Sequence, residues 1–195
     1  PVAVADVMTA HLGDGVHLYE HGVISFANQP AGDCGVSAGM SVRDAARLLL
    51  ETEPVVVAAS DVTNRTIMES SSDGRHVIAT DSIAFGTSED TARNVLVTAG
   101  HTGRSAVPYL RRTSPWGFIC SDGGRGLDDS GMAGLAIVEA DGLAGATADA
   151  RIARMGSGLS HYHDGIISAV NGPAHDRGVE IGMPVPQAAR HLLRR

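Results

Sequence analysis

The chain contains no lysine; its 15 basic Lys/Arg residues are all arginine. That removes Schiff-base lysines, Ser-Lys dyads and the phosphate-gripping lysine of a Walker loop from the mechanisms open to it. Aromatic residues make up only 4% of the sequence, with a single tryptophan. A core must therefore be built from Ala, Val, Ile, Leu and Met. There is no basic cluster with interleaved aromatics, and the net charge is −7. Together these argue against nucleic acid as a partner. Two cysteines, Cys34 and Cys120, without a CxxC pair supply no disulfide framework, so a cytoplasmic location is expected. No apolar run approaches membrane-spanning length and no signal-peptide pattern opens the chain, so no membrane partner is expected. A GxSxG nucleophile elbow is also missing.

What is present is glycine, 24 residues in 195, within a chain that is 43% hydrophobic. The length suits one domain spanning 1–195. Within it, two stretches say nearly the same thing. GVISFANQPAGDCGVSAGM (22–40) and GIISAVNGPAHDRGVEIGM (165–183) align at an offset of 143 residues, Tyr19 to Tyr162 and Arg47 to Arg190. Roughly half of about 46 aligned positions are identical. The chain thus reads as an internal duplication, with repeat unit 1 at 2–50, a unique middle at 51–142 and repeat unit 2 at 143–193. Each copy reads as strand, glycine turn, helix and final helix. The first helix is expected over VISFAN and IISAVN, ended by Pro30 and Pro173. The last helix starts at Ser41, a good N-cap with Asp44 three residues on, and carries the stripe Val42, Ala45, Ala46 and Leu49. Val185, Ala188, Ala189 and Leu192 repeat that stripe. The retained residues are mainly turn formers and core apolars, which is what a shared backbone shape needs. The alternative is a pair of pseudo-symmetric sites using Tyr19/Tyr162, Ser25/Ser168 and Asn28/Asn171.

The middle alternates short apolar strands with helical segments. Strands are expected at Pro54–Ser60, His76–Thr80, Val95–Ala99 and Trp116–Cys120, with Leu143–Thr147 opening the second repeat. Helices are expected at Ser88–Asn94, Gly103–Arg112 and Asp129–Ala140. This alternation predicts an α/β fold with a mostly parallel sheet covered by helices, a three-layer sandwich.

In such a sheet ligands bind beyond the carboxyl ends of the strands. Those ends deliver Asp81-Ser82, then Gly100-His101-Thr102-Gly103-Arg104, then Ser121-Asp122-Gly123-Gly124-Arg125, then Asp149 and Arg151. His101 suits general acid/base work and Asp122 its orienting partner or a second acid/base. Arg104, Arg125 and Arg151 suit anion clamping, and the backbone around Gly100–Gly103 an oxyanion or phosphate cradle. Asp81, Ser82, Thr102, Ser121, Gly123 and Gly124 complete the expected substrate-binding set. Each segment also has a plainer reading as a tight strand-to-helix turn. Cys120 is a nucleophile candidate beside the same loop. His161-Tyr162-His163-Asp164 has metal-ligand chemistry but no counterpart in the first copy, which reads Leu18-Tyr19-Glu20-His21; no metal is assigned.

Pro1 followed by an alternating strand, PVAVADV, resembles the opening of tautomerase-superfamily enzymes. The resemblance covers about seven residues and implies a catalytic proline amine; the remainder of the chain departs from that pattern. The expected function is an enzyme acting on a small polar or anionic metabolite by hydrolase or lyase-type acid/base chemistry, on a chain expected to form a homo-oligomer. No cofactor can be named. The alternatives are a non-catalytic small-ligand binding or regulatory module, and an assembly subunit.

Overall fold

The computed structural model describes residues 1–53 and 64–194. The strand expected over Pro54–Ser60 lies outside them. The sequence reads as one domain; the described residues group into two compact units, one from Pro1–Asp61 with Arg125–Ser130, the other from Val62–Gly124 with Gly131–Arg195.

The first unit holds β1 (Ala3–Ala5), α1 (Gly15–His21), β2 (Ile24–Ala27), α2 (Gln29–Asp33) and α3 (Val42–Leu50). β1 and β2 form an antiparallel ribbon with Val4 opposite Phe26. The segment expected to be a helix, VISFAN, is therefore strand β2. The physical reason lies in Asn28. It takes an extended conformation and its side chain accepts the Ala31 N–H, so the helix begins after it and Pro30 sits in the tolerated first turn. The missed helix is α1, capped by Asp14, whose carboxylate accepts the His17 N–H. Ser41 caps α3 as expected. The small core gathers Ile24, Ala31, Val36 and Ala45.

The second unit is built on a six-stranded sheet in sequential order: β3 (Arg65–Ser70), β4 (His76–Thr80), β5 (Val95–His101), β6 (Gly117–Ser121), β7 (Gly145–Ala148) and β8 (Ile167–Val170). β4 to β7 run parallel; β3 and β8 flank them antiparallel. β3 carries no hydrophobic run and was not expected. It forms a hairpin with β4 across the Ser71–Gly74 turn. Side chains alternate between faces, as the two-residue period of a strand requires. Val77, Val95, Val97, Ile119 and Ala146 face a core shared with α8 (Val185–Leu193) and α6 (Gly158–Asp164). Ile78, Leu96, Phe118 and Cys120 face the other core, with α4 (Val107–Thr113) and α5 (Gly134–Glu139). The sheet is thus covered on both faces, an α/β architecture with a mostly parallel sheet. Among the described residues no helix is long and apolar enough to cross a membrane.

Several helices of the middle are shorter than expected. Ser88–Asp90 and Arg104–Ala106 are single 3-10 turns, the latter leading into α4. Asp128 and Asp129 have φ of 54° and 56°, so the helix expected from Asp129 starts only at Gly134.

β7, α6, β8, α7 (Gly172–Asp176) and α8 repeat the order of β1 to α3. Each copy is strand-helix-strand-helix-helix, not strand-helix-helix, and IISAVN is strand β8. The registers correspond: Ala3↔Ala27 with Ala146↔Val170, Val4↔Phe26 with Thr147↔Ala169, Ala5↔Ile24 with Ala148↔Ile167. So do the caps Asn28 and Asn171, and the bridges Val23↔Ser41 and Ile166↔Pro184.

Candidate functional site

Because β4 to β7 are parallel, their carboxyl ends lie along one edge of the sheet. Asp81, His101, Asp122 and Asp149 all follow or end those strands. His101 pairs in register with Ser121 on the neighbouring strand. The two loops carrying most of the expected site are joined by backbone. Thr102 N–H donates to the Ser121 carbonyl at 3.0 Å, and the Thr102 hydroxyl donates to the same oxygen at 3.1 Å.

His101 uses Nδ1 to accept the Gly103 N–H at 2.9 Å. Its neutral tautomer therefore carries the proton on Nε2. Burial holds the imidazole below its ordinary value of 6.5. Asp122 is 2% exposed, and its Oδ1 accepts both the Gly124 N–H at 2.9 Å and the Ala150 N–H at 3.0 Å. His101 and Asp122 do not hydrogen-bond to each other, so Asp122 is not the orienting partner of His101; Gly103 is.

Asp122 contributes, less than burial and the backbone carbonyls do, to the electrostatics of His161. This residue lies on α6, fully buried. Its Nδ1 faces the Ser157 carbonyl at 3.2 Å, which can only accept, so Nδ1 holds the proton and Nε2 presents a lone pair. That Nε2 is buried and has no hydrogen-bond partner among the described residues. Burial depresses the imidazole pKa, against opposing contributions from the Ser157 and Arg154 backbone and from Asp122. Buried polar atoms are nearly always satisfied, and an orphan calls for a reason. The sequence held one signal for it: the first copy has Leu18 at this position.

The other expected residues divide into two groups. Ser121 is buried, accepts the Gly123 N–H, and lies 2.9 Å from the Met155 sulfur. Asp81 accepts the Gly158 N–H at 2.9 Å and an Asn64 amide hydrogen at 2.5 Å, pinning the start of α6 to the end of β4. Gly123 and Gly124, with Arg125 and Gly126, form a run of four positive φ angles from 65° to 71°. Only glycine adopts such angles without cost, so Arg125 is the strained member. Ser82 caps a 3-10 turn through Ala84 N–H. Gly100 continues strand β5 and Arg104 is exposed. Arg125 groups with the first unit and pairs with Asp129 at 2.8 Å. Arg151 makes a two-pronged contact with Asp149, at 2.6 Å and 2.9 Å. Asp149 raises its pKa.

His161 and His163 cannot chelate one ion together. Two residues apart on a helix they face away from each other, one buried and one exposed. Among the described residues no group of three or more His, Cys, Asp or Glu is placed to hold a metal. Cys120 is fully buried and burial pushes its thiol up to about 11, which opposes a thiolate nucleophile. Pro1 is exposed in the first unit. No protein-family model, no curated protein and no solved structure matches this chain.

Proposed function

We propose that the carboxyl edge of β4 to β7 is the active site of an enzyme that performs acid/base chemistry, hydrolase or lyase-type, on a small polar or anionic metabolite. The observation that carries this reading is the buried Nε2 of His161, which has no hydrogen-bond partner among the described residues. His161 and His101 are held in opposite tautomers. One offers a lone pair and the other an N–H, the complementary equipment for removing a proton at one atom and delivering one at another. Both imidazoles are kept neutral at physiological pH by burial. Asp122 stabilises the imidazolium that forms when His161 takes a proton. Ser121, Thr102 and the glycine-rich backbone of residues 122–124 line the substrate position, with Arg151 as its anion-facing charge.

The two strand-helix-strand-helix-helix segments are, on this proposal, copies of one duplicated unit. Matched registers, caps and bridges support that reading. We also place the protein in the cytoplasm as a homo-oligomer, with Cys34 and Cys120 unpaired.

The test is a turnover screen of amides, lactams, esters and β-elimination substrates, with Asp122→Asn and His161→Gln alongside the parent chain. Both variants should lose about a hundredfold or more in kcat/KM while binding substrate. A ligand that shifts the melting temperature without turnover in the parent would replace the enzyme with a binding module.

A further inference from the structure

The carboxyl edge carries a serine whose proton is weakly held. Ser121 ends β6 and is fully buried. Its Oγ accepts the Gly123 N–H at 3.1 Å. Among the described residues its hydroxyl hydrogen has one acceptor, the Met155 sulfur at 2.9 Å. A thioether is a weak acceptor. The proton is therefore free to pass to a stronger base.

The strand pattern puts Ser121 on the face that α6 covers. Ile119, two residues earlier, and Ala148, its register partner on β7, both belong to the core shared with α6 and α8. The two-residue period carries Ser121 to that same face. His101, its register partner on β5, shares it. α6 begins over the carboxyl edge, where Gly158 packs on the backbone of Thr80, the last residue of β4. His161 stands on the first turn of α6. Its Nδ1 contact with the Ser157 carbonyl, at the cap of that helix, turns the ring back toward the edge. The carbonyl orients the imidazole as the third group of a nucleophile-base pair does. Asp122, next in sequence to Ser121, contributes to the electrostatics of His161.

We propose that Ser121 is the nucleophile of this edge, that His161 Nε2 is its base, and that the substrate is an acyl compound, an ester or an amide. This rests on reading the edge as an active site. Substrate displaces the Met155 side chain, a cover that is 46% exposed over a fully buried hydroxyl. Oγ then bonds to the acyl carbon as its proton passes to Nε2, and the carbonyl π pair moves onto oxygen. His101 keeps its Nε2 proton and donates it to that oxyanion as a hydrogen bond. The pair returns, the bond to the leaving nitrogen or oxygen breaks, and the leaving atom takes the proton from His161. Water repeats the sequence on the acyl-serine. It gives a proton to Nε2, and Ser121 takes that proton back as the carboxylic acid departs.

A fluorophosphonate probe tests this on the 195-residue chain without a known substrate. Attack by Oγ forms an O–P bond and releases fluoride. Peptide mapping should find the adduct on Ser121, and Ser121→Ala should lose it. Met155→Ala should be labelled faster than the parent, because the cover is gone. His161→Gln should be labelled about a hundredfold more slowly, with thermal melts showing that each variant is folded. An unlabelled Ser121 in both the parent and Met155→Ala overturns the proposal. So does labelling of folded His161→Gln at the parental rate. Full turnover of an ester or amide by Ser121→Ala overturns the nucleophile but leaves the edge an active site of non-covalent acid/base chemistry. Absence of both labelling and turnover removes the active site together with the nucleophile.

Discussion

Replacing His161 with leucine should stabilise the second unit and, on the proposed function, abolish turnover. The first copy shows that this backbone accepts leucine, since Leu18 occupies the matching place on α1. In His161 the buried Nε2 acceptor has no partner among the described residues, and an unsatisfied buried group costs about 1–3 kcal/mol. The substitution removes that cost. It also removes the Nδ1–H bond to the Ser157 carbonyl, worth about 0.5–1.5 kcal/mol. That carbonyl is not orphaned, because the backbone N–H of residue 161 still donates to it at 3.0 Å. The balance favours leucine by about 1 kcal/mol, or roughly 2–4 °C in Tm for a chain of this size. The gain should grow in acid. His161 has a depressed folded pKa, so below about its ordinary 6.5 the unfolded chain takes up a proton that the folded chain refuses. Wild-type stability is therefore complete above 6.5 and falls as pH drops below it. His101 contributes in the same direction, so leucine should flatten the slope without removing it. Thermal unfolding by circular dichroism at pH 7.5 and 5.5 reads both effects. Destabilisation by more than about 1 kcal/mol at pH 7.5 would show that Nε2 is satisfied and refute the reasoning.

Further outcomes follow from the same contacts. Gly158→Ala should cost about 2–3 kcal/mol, since its Cβ would meet Thr80 backbone, whereas Gly15→Ala should be neutral or stabilising by up to about 1 kcal/mol; paired urea melts distinguish them. Asn171→Ala should cost about 3 kcal/mol by chemical denaturation, because one side chain caps α7, accepts the Gly145 N–H and donates to the Leu143 carbonyl. Asn28→Ala, in the exposed counterpart, should cost about 1 kcal/mol. Asp90 is fully buried; burial pushes its pKa up, but Arg65, Asn94 and the Thr87 N–H outweigh it and hold the carboxyl below 3.8. Asp90→Ala should cost about 3–5 kcal/mol. Its contribution to wild-type stability should persist above pH 3.8 and disappear in more acid solution, as acid titration of unfolding will show.

Much of the second unit was legible because its strands announce themselves. Val95 to Ala99 and Trp116 to Cys120 are short apolar runs, and a sheet buried on both faces needs such runs. β3 was not legible. Its residues, RTIMES, pair with β4 from an edge, where one face stays wet and no apolar run is required. VISFAN and IISAVN misread as helices because four-residue strands beside a capped proline turn lack a long period. The candidate site divided similarly. His101 and Asp122 could be found from glycine-flanked positions after strands. Their surroundings could not: His101 is engaged by Gly103, and Asp122 by the backbone N–H groups of Gly124 and Ala150.

The sequence by itself determined the backbone shape of both copies. The same Asn caps, positive-φ glycines at Gly35 and Gly178, and alanine-leucine stripes produce matching registers wherever they occur. These are local instructions, carried by dihedral preferences and hydrogen bonds a few residues apart. The tertiary structure alone decided which copy is buried. Tyr162, Leu193 and Gly158 differ from Tyr19, Leu50 and Gly15 not in chemistry but in having the β3–β6 sheet against them. Burial depends on what long-range pairing brings near, and no local pattern encodes it. The same holds for His161: only packing turned one histidine among nine into a buried base without a partner among the described residues.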